Sequence, residues 1–123
     1  MINGAHILFY SKSPELDRAF LRDVIGLRAL DIGHGWMIFG MPPTEAAVHP
    51  DDGLFTQQHA GHSMMGALVY FMCDNLDATV AELAAKGVRC TEIDRAPWGI
   101  KTTIPLPSGG EVGLYQPSHP TAI

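Results

Sequence analysis

The chain has 123 residues, of which 46% are hydrophobic and 17% charged, and a net charge of −5. That length and balance suit one compact domain and exclude a disordered chain. Its eight Lys and Arg residues are scattered without a basic stripe, and no apolar run approaches the ~18 residues of a membrane span, so neither nucleic acid nor a membrane is an expected partner.

Ala5 to Tyr10 reads as a strand, apolar on both faces and so buried on both sides. Ser13-Pro14 opens a helix, Ser as N-cap and Pro at the first helical position. Leu16, Phe20 and Val24 form its apolar stripe, widened by Ala19 and Ile25, and Gly26 ends it. Strands Leu27 to Ile32 and Trp36 to Met41 flank a Gly33-His34-Gly35 turn. Glu45 to His49 is a fourth strand, stopped by Pro50. Pro50 to Gly66 is polar and aperiodic, and reads as a structureless linker or a lid.

The same order then returns. Ala67 to Cys73 is a strand. Asp74 caps a helix with Leu76, Val80, Leu83 and Ala84 as its stripe and Gly87 as its stop. Val88 to Asp94, Ile100 to Leu106 and Glu111 to Gln116 are strands, joined by turns at Ala96–Gly99 and Pro107–Gly110. Ser13 and Asp74 lie 61 residues apart, as do Gly26 and Gly87. Such self-similarity predicts an α+β fold of two βαβββ modules: residues 1–50, a linker at 51–66, and residues 67–117. One helix covers one face of each sheet, so the other faces meet across a trough that suits a ligand.

Cys73 and Cys90 sit in apolar stretches and read as two buried free thiols, not as a disulfide. Asp74 and Asp77 beside Cys73 oppose a reactive thiolate, so its role is packing. The N-terminus lacks a basic region followed by a secretory apolar core, which predicts a cytoplasmic protein.

The segments AHILFYSKSPELDRAFLRDVIGL, VYFMCDNLDATVAELAAKGV and GGEVGLYQP, repeated at a fixed offset, resemble the vicinal oxygen chelate superfamily of glyoxalases, bleomycin-resistance proteins and extradiol dioxygenases. The resemblance implies a curved mixed sheet around a cavity and a homodimer. It also implies four metal-ligand positions, usually His or Gln, Glu, His and Glu. Here they fall on His6, Ala47, Ala67 and Gly113, and three of the four carry no donor. No tightly bound metal or other cofactor is therefore expected.

His49 shares a strand face with Ala47, so His6 and His49 are the residual metal candidates, with Glu45, His59 or His62 to complete a set. Otherwise the two imidazoles form a polar wall or satisfied buried groups. Parity places Leu8 and Tyr10 in the trough with His6, Val69 and Phe71 with Ala67, and Tyr115 with Gly113. Ala67 and Gly113 leave space there. Trp36 and Trp98 stand at similar turns, either as stacking surfaces over the trough or as seals of the core.

The expected ligand-binding residues are thus His6, Leu8, Trp36, His49, Val69, Phe71, Trp98 and Tyr115. The function this supports is metal-free capture of a small apolar or aromatic molecule. Two enzymatic alternatives stay open. One is a divalent-metal-dependent lyase or extradiol dioxygenase using His6 and His49. The other is a metal-free enzyme with either histidine as general base.

Overall fold

The computed structural model describes residues 1–51, 53 and 55–123. Its elements in chain order are α1 (Pro14–Asp23), β1 (Ala29–Asp31), β2 (Met37–Phe39), β3 (Thr56–His59), β4 (His62–Met65), β5 (Tyr70–Met72), α2 (Leu76–Ala85), β6 (Asp94–Ala96), β7 (Gly99–Pro105) and β8 (Glu111–Pro117). The second unit is a complete βαβββ module whose sheet runs β5-β8-β7-β6. β5 is parallel to β8, and the other pairs are antiparallel.

The two helices end alike. Gly26 and Gly87 both take left-handed backbone, with φ of 85° and 81°. After α2, Gly87 N–H donates to Ala84 O and Val88 N–H to Leu83 O, which satisfies two orphan carbonyls. Leu83 and Val88 meet in the core at that point. The start of α2 differs from expectation. Its N-cap is Asn75, not Asp74, because Asn75 Oδ1 accepts from Ala78 N–H at 3.0 Å. Leu76 N–H is free to donate to Gln116 Oε1 at 2.8 Å, tying the helix start to β8. At α1, Ser13 is the N-cap residue but makes no side-chain capping bond.

The core lies between α2 and one face of the four-stranded sheet. Leu76, Leu83, Val88, Ile104, Val112 and Leu114 form it, and Phe20, Val24 and Ile25 from the first unit pack against its edge. The stripe of α1 is rotated from the predicted one. Asp17 and Leu21 are buried, whereas Leu16 is 57% exposed. The reason is a polar tether: Asp17 accepts hydrogen bonds from Ser108 in the β7–β8 turn and turns that side of the helix inward.

Three predicted strands are absent. Residues 5–10 and 45–49 run without ladder hydrogen bonds, and Ile7, Leu8, Phe9 and Tyr10 are exposed, not buried on both sides. A strand needs a neighbour, and among the described residues nothing in the chain pairs with these two. Of Val88 to Asp94 only Asp94 joins the sheet. Thr91 meets β7 through one backbone bond, its N–H donating to Thr103 O at 3.0 Å, and through its side chain, with Oγ1 accepting from Thr103 N–H at 2.9 Å.

The predicted linker is also different. β3 and β4 form an antiparallel hairpin across it, closed by Ala60 and Gly61 at φ 51° and 80°. Two positive φ values in a two-residue loop match the twist of a hairpin. Asp52 and Leu54 of that stretch lie outside the described residues.

Candidate functional site

Cα register sorts the sheet into two faces, because in-register neighbours point the same way. Phe71 is opposite Leu114, and Leu114 is opposite Thr102, all on the face that α2 covers. Tyr70 is opposite Gly113, Met72 opposite Tyr115, and Tyr115 opposite Lys101, on the uncovered face. Phe71 therefore packs with the core and does not share a face with Tyr115, contrary to the parity read from sequence. Val69 is half-buried, and its carbonyl accepts from Gly113 N–H at 2.9 Å.

The uncovered face carries an aromatic cluster. The Tyr70 and Tyr115 rings meet edge to face, with centroids 6.3 Å apart and planes at 70°. His119 lies 5.8 Å from Tyr115. Lys101 Nζ stands 5.8 Å from the Tyr70 ring centroid, within cation–π reach. The Tyr115 hydroxyl donates to Trp98 O at 2.9 Å and fixes the turn that presents the 60%-exposed Trp98.

Two glycines make this packing possible. A Cβ at Gly113 would overlap the Tyr70 ring, and one at Gly99 would come within 2.7 Å of Tyr115 Cε1. The space expected to stand empty over Gly113 is filled by Tyr70.

The first-unit candidates stand outside this sheet. Trp36 is 51% exposed, with the Arg18 guanidinium 5.0 Å over its ring, so it does not seal the core. His49 Nδ1 hydrogen-bonds Pro50 O at 2.7 Å. His6 and Leu8 are exposed in the unpaired N-terminal segment. Next to them, the Tyr10 hydroxyl hydrogen-bonds His59 Nδ1 at the tip of the β3–β4 hairpin. Of the sequence-derived set, Tyr115 meets Trp98, through the Trp98 backbone carbonyl.

A cleft of about 260 Å³ separates the units, lined by Val24, Ile25, Phe71, Leu83 and Lys86 among others. Lys86 Nζ bridges it to Val24 O at 3.2 Å. It falls below the ~300 Å³ at which ligand sites begin and reads as a packing seam. Burial pushes the Cys73 thiol up, and burial does the same to Cys90, so both stay protonated near neutral pH.

The family model of the Glyoxalase/Bleomycin resistance protein/Dioxygenase superfamily matches residues 5–112. The chain belongs to this superfamily. Among solved structures it is similar to TnmS3, an antibiotic binding protein from Streptomyces sp. CB03234, at 22% identity and TM-score 0.59, covering 96% of this chain and 99% of that one. It is also similar to lactoylglutathione lyase from Agrobacterium tumefaciens, at 18% identity and TM-score 0.59, covering 88% of each chain. A glyoxalase/bleomycin resistance protein from Streptomyces sp. CB03234 aligns at 21% identity and TM-score 0.52, covering 86% and 93%. These likenesses show the fold, which is the α+β fold of the superfamily. No curated protein matches the sequence significantly.

The superfamily's metal-dependent members raise the question of a divalent ion. Ala47 and Ala67 lack donor atoms, and at Gly113 the place of a ligand is held by the Tyr70 ring. Among the described residues no three His, Cys, Asp or Glu side chains come together as a metal set. The sequence reading missed Tyr70, Lys101 and His119. The signal for Lys101 was its position in GIKTTIP, where a cation interrupts a strand otherwise free of charge.

Proposed function

We propose that this superfamily member captures a small apolar or aromatic molecule on the Tyr70–Tyr115 face, without a tightly bound metal. The observation that carries this is the pairing of Tyr70 and Tyr115 on one uncovered sheet face, with Gly113 and Gly99 giving the two tyrosine rings room and the Trp98 carbonyl holding the Tyr115 hydroxyl. Flat exposed rings favour flat partners, and their burial supplies the affinity. Antibiotic binding, as described for TnmS3, is capture of the same kind.

The working form is a homodimer in the cytoplasm. Residues 7–10 expose four large apolar side chains on a segment with unsatisfied ladder positions. A second copy of the chain supplies both strand edge and apolar cover. Cys73 and Cys90, both free, suit a reducing compartment.

The test is titration of the neutral fluorophore phenylnaphthylamine into purified protein, with metal analysis of the same preparation. Saturable binding that Tyr70→Ala weakens, at a metal content far below stoichiometric, is the expected result. The second reading is a divalent-metal-dependent lyase or dioxygenase using His6 and His49, favoured by the likeness to lactoylglutathione lyase. A stoichiometric metal lost in His6→Ala would establish that reading and end the first.

A further inference from the structure

We infer that the ligand of the aromatic face is a planar anion, an aromatic ring bearing a carboxylate, sulfonate or phenolate, and that Lys101 is its counter-ion. This rests on the ligand-binding reading above and narrows it.

Lys101 sits in the middle of β7, half-buried, with Tyr115 opposite on one side and Asp94 opposite on the other. An exposed carboxylate in register is the ordinary partner for such a cation. Yet among the described residues the ion pairs within 4.0 Å are Arg22–Asp23 and Arg95–Asp77, and Lys101 is in neither. Its Nζ lies toward the Tyr70 ring instead. Glu111, the other acid on this face, accepts from the Thr103 hydroxyl. The ammonium thus stands beside the Tyr70 ring that a flat ligand would stack on and is paired with neither acid.

A ring laid against Tyr70 brings any acidic substituent at its edge to Lys101 Nζ. A charge-assisted hydrogen bond there is stronger than a neutral one and rewards an anion over its uncharged analogue. Lys101 is half-buried and not buried, so the site needs no fully buried unpaired charge when empty.

The experiment compares two probes with the same ring system, anilinonaphthalene sulfonate and neutral phenylnaphthylamine, on full-length protein. Wild type should bind the sulfonate about tenfold more tightly. Lys101→Met, which keeps the aliphatic stem, should abolish that preference, read as the ratio of the two probes' affinities. Lys101→Arg should restore it. Salt at about 0.5 M should narrow the preference in wild type but not in Lys101→Met. Equal affinity of the two probes for wild type, or a preference that survives Lys101→Met, overturns the anionic assignment while leaving ligand capture in place. Failure of both probes to bind wild type overturns both readings.

Discussion

Asp17 on α1 and Ser108 in the β7–β8 turn, 91 residues apart, share two hydrogen bonds: Ser108 N–H donates to Oδ1 at 3.0 Å, and the Ser108 hydroxyl donates to Oδ2. Ser11 adds a third, from its hydroxyl to Oδ2 at 2.6 Å. This buried carboxylate is the main polar link between the first unit and the sheet. Asp17→Ala should lower stability by about 2–3 kcal/mol in urea unfolding, since each bond to a charged acceptor is worth ~1.5–3 kcal/mol and the effects overlap.

The same carboxylate sets an acid limit. Burial pushes its pKa up, but the hydrogen bonds from Ser108 and Ser11 outweigh burial and hold it below the ordinary 3.8. A folded-state pKa below the unfolded one means stabilisation that is present above the unfolded value and lost as pH falls through the folded one. The stability gap between wild type and Asp17→Ala should therefore be full at about pH 6 and shrink below about pH 4. A gap that widens on acidification would refute this account of Asp17.

Gly113 and Tyr70 are a packed pair across β5 and β8. Gly113→Ala should destabilise by about 1–3 kcal/mol, because the added methyl meets a ring held between strands. In the Tyr70→Ala background the same change should cost markedly less. Urea melts of the four proteins in this cycle give the coupling directly.

The exposed apolar segment predicts assembly. Light scattering should return twice the 13.3 kDa chain mass, and Phe9→Lys should shift the population toward monomer while leaving α2 and its sheet folded by circular dichroism. A monomeric wild type at micromolar concentration would sink the dimer.

Burial raises both thiols. Iodoacetamide at about pH 7 should label native Cys73 and Cys90 far more slowly than a small free thiol, because only the thiolate reacts. Denaturant should abolish the difference.

Both helices and their glycine stops were legible in the sequence, because these signals are local: a 3.6-residue period, a cap and a left-handed stop recur within a dozen residues. The closing hairpin GIKTTIPLPSGGEVGLYQP was legible for the same reason. The cap shifted by one residue because Asp74 and Asn75 are equally good local acceptors, and Ala78 N–H chose between them. The Ala60-Gly61 hairpin was hidden because alanine seldom adopts positive φ, so the pair carries no turn signature.

Which side of β5 faces away from the core was decided by the tertiary structure alone. Tyr70 and Phe71 are adjacent aromatics, so a period of two fits either facing. The parallel register Tyr70 opposite Gly113 settles it through a contact between residues 43 positions apart. The absent strands at 5–10 and 45–49 have the same origin: apolar composition makes a segment fit for a sheet, but only a neighbour's hydrogen bonds make it a strand.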